Sequence, residues 1–290
     1  MWSLSSKPNH LSNIMKIALQ LSLIPGSTAA DKAKWAKDHG VQGIELGAFG
    51  TSNEKLRAQA DEINGILPIC SVCANATPEG VASFDFLHPD KAKRRASIEG
   101  SKAILKFCGD VGAVGQIVPP IFGGAVVPDL SPFLTVAQLE DQLMIAALQE
   151  LGPVAVENKT LFMLEPLNRY EQHYLRRQAD GMRAIDSAQT PGIGLLSDFF
   201  HMHIEETSLT NAFREAKGYT SHIHLADNTR MEPGTGDIDF VSSFKVLIEN
   251  GFDGYMAYEC GITGSSDEEK AENLAKSVEF MREAIEAARA

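Results

Sequence analysis

The chain has 290 residues, 44% of them hydrophobic and 22% charged, with a formal net charge of −12 and a sequence pI of about 5.1. An acidic surface repels phosphate backbones and anionic bilayers, which sets nucleic-acid binding and membrane docking aside. The longest apolar runs, such as KIALQLSLI (16–24), fall short of the ~20 residues that a membrane span needs.

The opening stretch MWSLSSKPNHLSNI is polar and contains proline. It lacks the apolar core and small-residue cleavage site of a signal peptide. Residues 1–15 are therefore expected to be a flexible arm, with Met15 as an alternative start, and the protein to be cytoplasmic. From residue 16 onward, short apolar runs alternate with amphipathic helical stretches. KIALQLSLI is followed by DKAKWAKDHG, VQGIELGA (41–48) by NEKLRAQADEING, and ILPICSVCAN (66–75) by a helix over 90–108. AVGQIVPPI (113–121) leads through a Gly/Pro-rich loop to TVAQLEDQLMIAALQELGPVAVEN. LFMLEPLN (161–168), IGLLSDFFH (193–201), SHIHLADN (221–228) and YMAYECGI (255–262) each precede another helical stretch. These are eight strand–helix units at roughly 30-residue spacing, the dimensions of an α/β (β/α)8 TIM barrel. Near-continuous apolar strands suit a parallel sheet buried on both faces. A doubly wound open sheet is the alternative, but LIPGSTAAD after the first strand is not a Gly-rich dinucleotide turn. No linker or boundary interrupts 16–290, so a single domain is expected.

The four cysteines include a C-x-x-C at Cys70 and Cys73. On a regular strand an offset of three puts the two side chains on opposite faces. With no second pair to complete a tetrahedral site, they read as reduced, buried thiols.

In a barrel, the C-terminal ends of the strands share one mouth. The last four strands are interrupted there by Glu165, Asp198, His224 and Glu259. A single glutamate at a strand end is usually a hydrogen-bonded surface group, and a single histidine on an apolar strand is usually core. Four such residues at the same end of four successive units are harder to explain that way, because burying unpaired charge costs several kcal/mol. A divalent cation resolves the cost. Three carboxylates and one imidazole make an oxygen-rich site for one metal ion, Mn²⁺ foremost, with Mg²⁺ or Co²⁺ as alternatives.

LEPLNRYE, LLSDFFHMHIEE, HIHLADNTRMEPGTGDIDF and YECG resemble the xylose-isomerase-like sugar isomerase/epimerase superfamily. They are most similar to its ketose 3-epimerase and ketogluconate epimerase branches. The resemblance covers roughly residues 160–262 and is only architectural before that. It implies metal ligands at Glu165, Asp198, His224 and Glu259, with Glu165 and Glu259 also acting as acid and base. It implies substrate-holding roles for Glu171, His201 and Arg230, and a homo-dimer or tetramer. The first-half loops match nothing specific, so the sugar is not named.

The chemistry follows from the residues as well. A ketose offers its carbonyl and neighbouring hydroxyl to a cation, which acidifies the adjacent C–H. One glutamate removes that proton to give a cis-enediolate, and a second returns a proton from the opposite face, inverting the centre. The expected function is a metal-dependent epimerase or isomerase for a keto sugar or keto sugar acid. The alternative is a lyase, dehydratase or decarboxylase on a 3-keto sugar or inosose, because an enediolate serves both. No phosphate cradle is evident, which favours a non-phosphorylated substrate. A DNA-repair endonuclease would need further histidines on strands two and three, which end GIELGA and CSVCAN. Intact acid–base glutamates argue against a sugar-binding protein without activity.

Other residues read less sharply. His222 shares a face with His224 and is either a supporting residue or, as favoured here, core. His203, Glu205 and Glu206 fall in a loop or helix start and read as solvated. Asp227 either orients His224 or Arg230, or caps its own loop. In PGTGDIDF (233–240), Asp239 is the expected helix cap.

Overall fold

The computed structural model describes residues 15–47, 50–77 and 80–290. The expected arm thus lies outside the described residues except for Met15, which is buried against the barrel. Eight strands form the barrel: β1 (Lys16–Gln20), β2 (Gly43–Gly47), β3 (Ile69–Cys73), β4 (Gly115–Val118), β5 (Leu161–Leu164), β6 (Ile193–Asp198), β7 (Thr220–Leu225) and β8 (Tyr255–Tyr258). Neighbours in sequence pair in parallel, and β1 pairs with β8 to close the ring. Among the described residues there are nine α-helices: α1 (Ala29–Asp38), α2 (Asn53–Ile63), α3 (Lys91–Val111), α4 (Val136–Glu157), α5 (Gln178–Ala188), α6 (Phe199–Glu205), α7 (Leu209–Glu215), α8 (Phe240–Asn250) and α9 (Asp267–Arg289). This is the expected TIM barrel. A two-stranded hairpin, Ala76–Thr77 with Gly80–Val81, follows β3 and was not anticipated.

Local chemistry starts and stops these elements. Thr28, Ser52, Asp90, Ser208, Asp239 and Ser266 each accept a hydrogen bond from the first turn of a helix. Thr135 and Gln138 form a reciprocal capping box on α4. Gly251 ends α8 in the left-handed conformation, which costs glycine nothing.

Strand alternation then sorts the side chains. Outward residues Ile17, Leu19, Ile44, Leu46, Ile223, Leu225, Met256 and Tyr258 pack with α1, α2, α8 and α9. Val118, Phe162 and Leu164 pack with α3, α4 and α5. Each such buried side chain contributes about 1.5–3 kcal/mol. Inside the ring, Ala18, Cys70 and Ala257 meet near the N-terminal ends of the strands. Gly43 is needed there, because a Cβ would sit 2.7 Å from the Tyr255 ring. Cys73, Ile117, Met163 and Leu196 form the next level. The polar site lies beyond them, at the C-terminal ends.

Two expectations are corrected. Cys70 and Cys73 do not face opposite ways; both join clusters inside the barrel. The β2–β3 register slips between Ile44↔Ile69 and Glu45↔Ser71, so Cys70 is an extra, bulged residue that resets the alternation. All four cysteines are free, three of them buried. The sixth strand ends at Asp198, not at residue 201: the Asp198 carboxylate accepts from His201 N and caps α6.

Candidate metal centre

Four adjacent strands bring the four ionisable residues together. Glu165 follows β5, and its amide donates to Val118 O. Asp198 ends β6, His224 lies in β7, and Glu259 follows β8 with its amide on Leu225 O. Each offers one ligand atom, and these atoms all lie within 4.8 Å of one another. His224 Nδ1 is 3.0 Å from Glu259 Oε2, 3.2 Å from Glu165 Oε1 and 3.7 Å from Asp198 Oδ2. Glu165, Asp198 and His224 are buried, and Glu259 is partly open to solvent.

The electrostatics are those of a crowded anionic pocket. Burial, with the nearby Glu259 charge, pushes the Glu165 carboxyl above the ordinary carboxylate range. Burial pushes Glu259 upward too, but His224 and Arg230 outweigh it and hold the group down at about 2. For Asp198 burial is overcome mainly by Arg230, which keeps the carboxyl well below its usual range. Burial would depress His224, but Glu259 and Glu45 raise it well above the usual imidazole value. The donor set fits a hard divalent ion: three carboxylates and one imidazole nitrogen converge from separate strands. Cys73 Sγ is 3.9 Å from Glu259 Oε1. Burial keeps it protonated, so it does not turn the set into a thiolate site.

Arg230 covers one side of this pocket. Its Nη1 donates to Asp198 Oδ2 at 2.6 Å and its Nη2 donates to Glu259 Oε2. Its guanidinium lies 4.9 Å from the centroid of the Phe200 ring. The backbone that presents it is left-handed, with φ of 61°, a conformation that costs of order 1–3 kcal/mol. Two hydrogen bonds hold it: Arg230 N donates to Asp227 O, and Gly261 N donates to Arg230 O. The Asp227 carboxylate accepts from Asn228 N, Gly234 N and Ile238 N, so it caps its own loop. Gly236 is required in that loop, since a Cβ would fall 2.4 Å from Asp227 Oδ1.

The remaining expected residues sit alongside. His201 is buried, and its Nδ1 accepts from Asn168 N at 3.2 Å, which places the ring proton on Nε2. Asn168 Nδ2 also donates to Glu171 Oε1 at 2.9 Å, so Asn168 ties the half-exposed Glu171 to His201, whose own separation is 3.9 Å. Glu205 is not solvated. It is buried, and Oε1 accepts from both Arg169 N and Arg169 Nε at 2.7 Å, pinning the loop that carries Asn168 and Glu171. Glu206 accepts from Gln178 N at the start of α5. His203 Nε2 lies 3.6 Å from the exposed Asp237 carboxylate.

One residue in contact with this cluster was missed by sequence reading. Glu45, the polar residue of GIELG in β2, is fully buried. It lies 3.1 Å from His224 Nε2 and 3.0 Å from His222 Nε2. It also accepts from Ser71 Oγ at 2.7 Å and Gln20 Nε2 at 2.9 Å. Gln20 Nε2 in turn reaches Glu259 Oε1 at 3.0 Å. Burial would raise the Glu45 carboxyl, but the two histidines outweigh it and hold it far below its usual range.

The profile of the family described as xylose isomerase-like TIM barrel matches residues 33–289. The chain belongs to that family. Within it, the chain is 31% identical over 249 residues to the 3-dehydro-D-guloside 4-epimerase of Escherichia coli K12, covering 84% of this chain and 92% of that protein. It is 27% identical over 230 residues to a probable ketose 3-epimerase of Synechocystis sp., covering 77% and 75% of the two chains. The crystal structure of 3-keto-D-glucoside 4-epimerase from E. coli superposes with a TM-score of 0.79 at 26% identity, over 93% of this chain and 99% of that one. These relatives are epimerases, which places this xylose isomerase-like barrel in the isomerase class.

Proposed function

We propose that the protein is a divalent-metal-dependent sugar epimerase that inverts the carbon next to the ketone of a keto sugar or keto sugar acid. The observation that carries this reading is the convergence of Glu165, Asp198, His224 and Glu259 from four adjacent strands. The named relatives support it through the chemistry they share. One acts at carbon 4 of a 3-dehydro sugar and the other at carbon 3 of a ketose, so the inverted carbon neighbours the ketone in both.

Glu165, Asp198, His224 and Glu259 would hold the ion, Mn²⁺ foremost and Mg²⁺ or Co²⁺ as alternatives. When bound, such an ion supplies Lewis acidity toward the ketone oxygen. Glu165 and Glu259 are the two groups able to exchange protons with the adjacent carbon, one from each face, through a cis-enediolate. Arg230, His201 and Glu171 would orient the sugar oxygens. The Arg230 guanidinium presents a planar fork and keeps its charge at every relevant pH.

A panel of keto sugars and keto sugar acids in D₂O, followed by NMR with Mn²⁺-loaded protein, tests the reading. The expected product is the epimer with deuterium at the carbon beside the ketone. A new alkene or a lost fragment would replace epimerisation by elimination or decarboxylation.

A further inference from the structure

We propose that Glu45 is the positioning residue of this site, setting both which nitrogen of His224 faces the carboxylates and how Glu259 is turned. The argument is one of donors and acceptors. An ionised carboxylate can only accept hydrogen bonds. Both Glu45 oxygens lie within 3.2 Å of His224 Nε2, so Nε2 carries a proton and donates to Glu45. With Nε2 committed to Glu45, Nδ1, which faces Glu165, Asp198 and Glu259, is the nitrogen left to meet the ion. The rest of Glu45 is saturated. His222 Nε2, Ser71 Oγ and Gln20 Nε2 surround it, and all of these residues but Gln20 are fully buried. His222 Nδ1 has no hydrogen-bond partner among the described residues, so that ring's polar contacts are all made through Nε2, with Glu45 and Ser71.

A second arm runs through Gln20. Its Nε2 donates to Glu45 Oε1 at 2.9 Å and to Glu259 Oε1 at 3.0 Å. Glu45 thereby fixes which way the Gln20 amide is turned, and the amide leaves Glu259 Oε2 as the oxygen aimed at His224 and Arg230. One buried carboxylate on β2 thus orients two members of the four-residue set, one in β7 and one just after β8. Partners of this kind hold a ligand ring in one tautomer and raise its basicity.

The inference rests on the metal reading of the four-residue set, and the test separates the two. Mn²⁺ binding to the metal-stripped full chain, read by electron paramagnetic resonance of the free ion, compares wild type with E45Q. A glutamine side chain offers an NH₂ where Glu45 only accepts, which favours a proton on His224 Nδ1 and blocks that nitrogen. The expected result is a Kd raised by about 10–100-fold, with the folded circular-dichroism signature retained. Binding by E45Q within about twofold of wild type overturns the role of Glu45. No binding by wild type instead overturns the metal reading itself. A second measurement needs no variant. Ring ¹⁵N shifts of His224 in Mg²⁺-loaded wild type should show Nε2 protonated, and a protonated Nδ1 would refute the inference even if E45Q failed to fold.

Discussion

Arg230 Nη1 donates to Asp198 Oδ2 at 2.6 Å, and that same oxygen lies 3.7 Å from His224 Nδ1. The guanidinium therefore borders the carboxylate cluster while its other nitrogen reaches Glu259. Replacing it with alanine removes a charge-assisted donor worth about 1.5–3 kcal/mol. R230A should raise KM by about tenfold to a hundredfold, with a smaller change in kcat. Steady-state kinetics on the preferred keto sugar decide this, and an unchanged KM would count against a substrate-holding role. Lysine should not rescue, because it lacks the fork that spans two acceptors.

Metal removal gives a second prediction. Protein treated with EDTA should lose turnover and regain it with Mn²⁺ or Co²⁺. Binding to the folded state alone should also stabilise it, by about 2.7 kcal/mol at a concentration 100 times Kd. Thermal melts with and without Mn²⁺ read this directly, and full activity in stripped protein would refute the metal mechanism.

A third prediction concerns stability and pH. Burial would raise the Glu205 carboxyl, but its hydrogen bonds to Arg169 outweigh that and hold it below the ordinary range. A depressed carboxyl stabilises the fold above the unfolded value and loses that contribution as pH falls through the folded one. E205Q should therefore cost about 1–3 kcal/mol at neutral pH, with the gap to wild type narrowing in acid. Unfolding midpoints at pH 7 and in the acid range measure it. A gap that widens in acid would contradict the assignment.

How much of this was legible beforehand differs from residue to residue. Glu165, Asp198, His224 and Glu259 stood out because each breaks an apolar run where the strand leaves the barrel, and strand periodicity puts such residues at one mouth. Glu45 was missed although it breaks GIELG in the same manner. Its reason for burial is His222 and His224, which lie far along the chain, and nothing local to β2 announces them. Asp198 was read as a ligand but not as a cap, although aspartate three residues before an amide is a capping signal; one oxygen serves each purpose. The bulge at Cys70 left no mark in the sequence, because buried strands on both sides tolerate the same apolar residues. Glu205 was read as solvated because its partner, Arg169, arrives from another loop.

The two proposed acid–base glutamates make the last prediction. Glutamine at either position keeps a ligating oxygen and removes the proton shuttle, so turnover should fall by about 10²–10⁴ while the barrel stays folded.

The most direct test incubates E165Q and E259Q separately with each of the two epimers in D₂O. With one proton-transfer group on each face, each variant should wash deuterium into one epimer only, the opposite one in the two cases, and interconvert neither. Exchange into the same epimer by both variants, or epimerisation surviving in either, would contradict a site built on two opposed carboxylates.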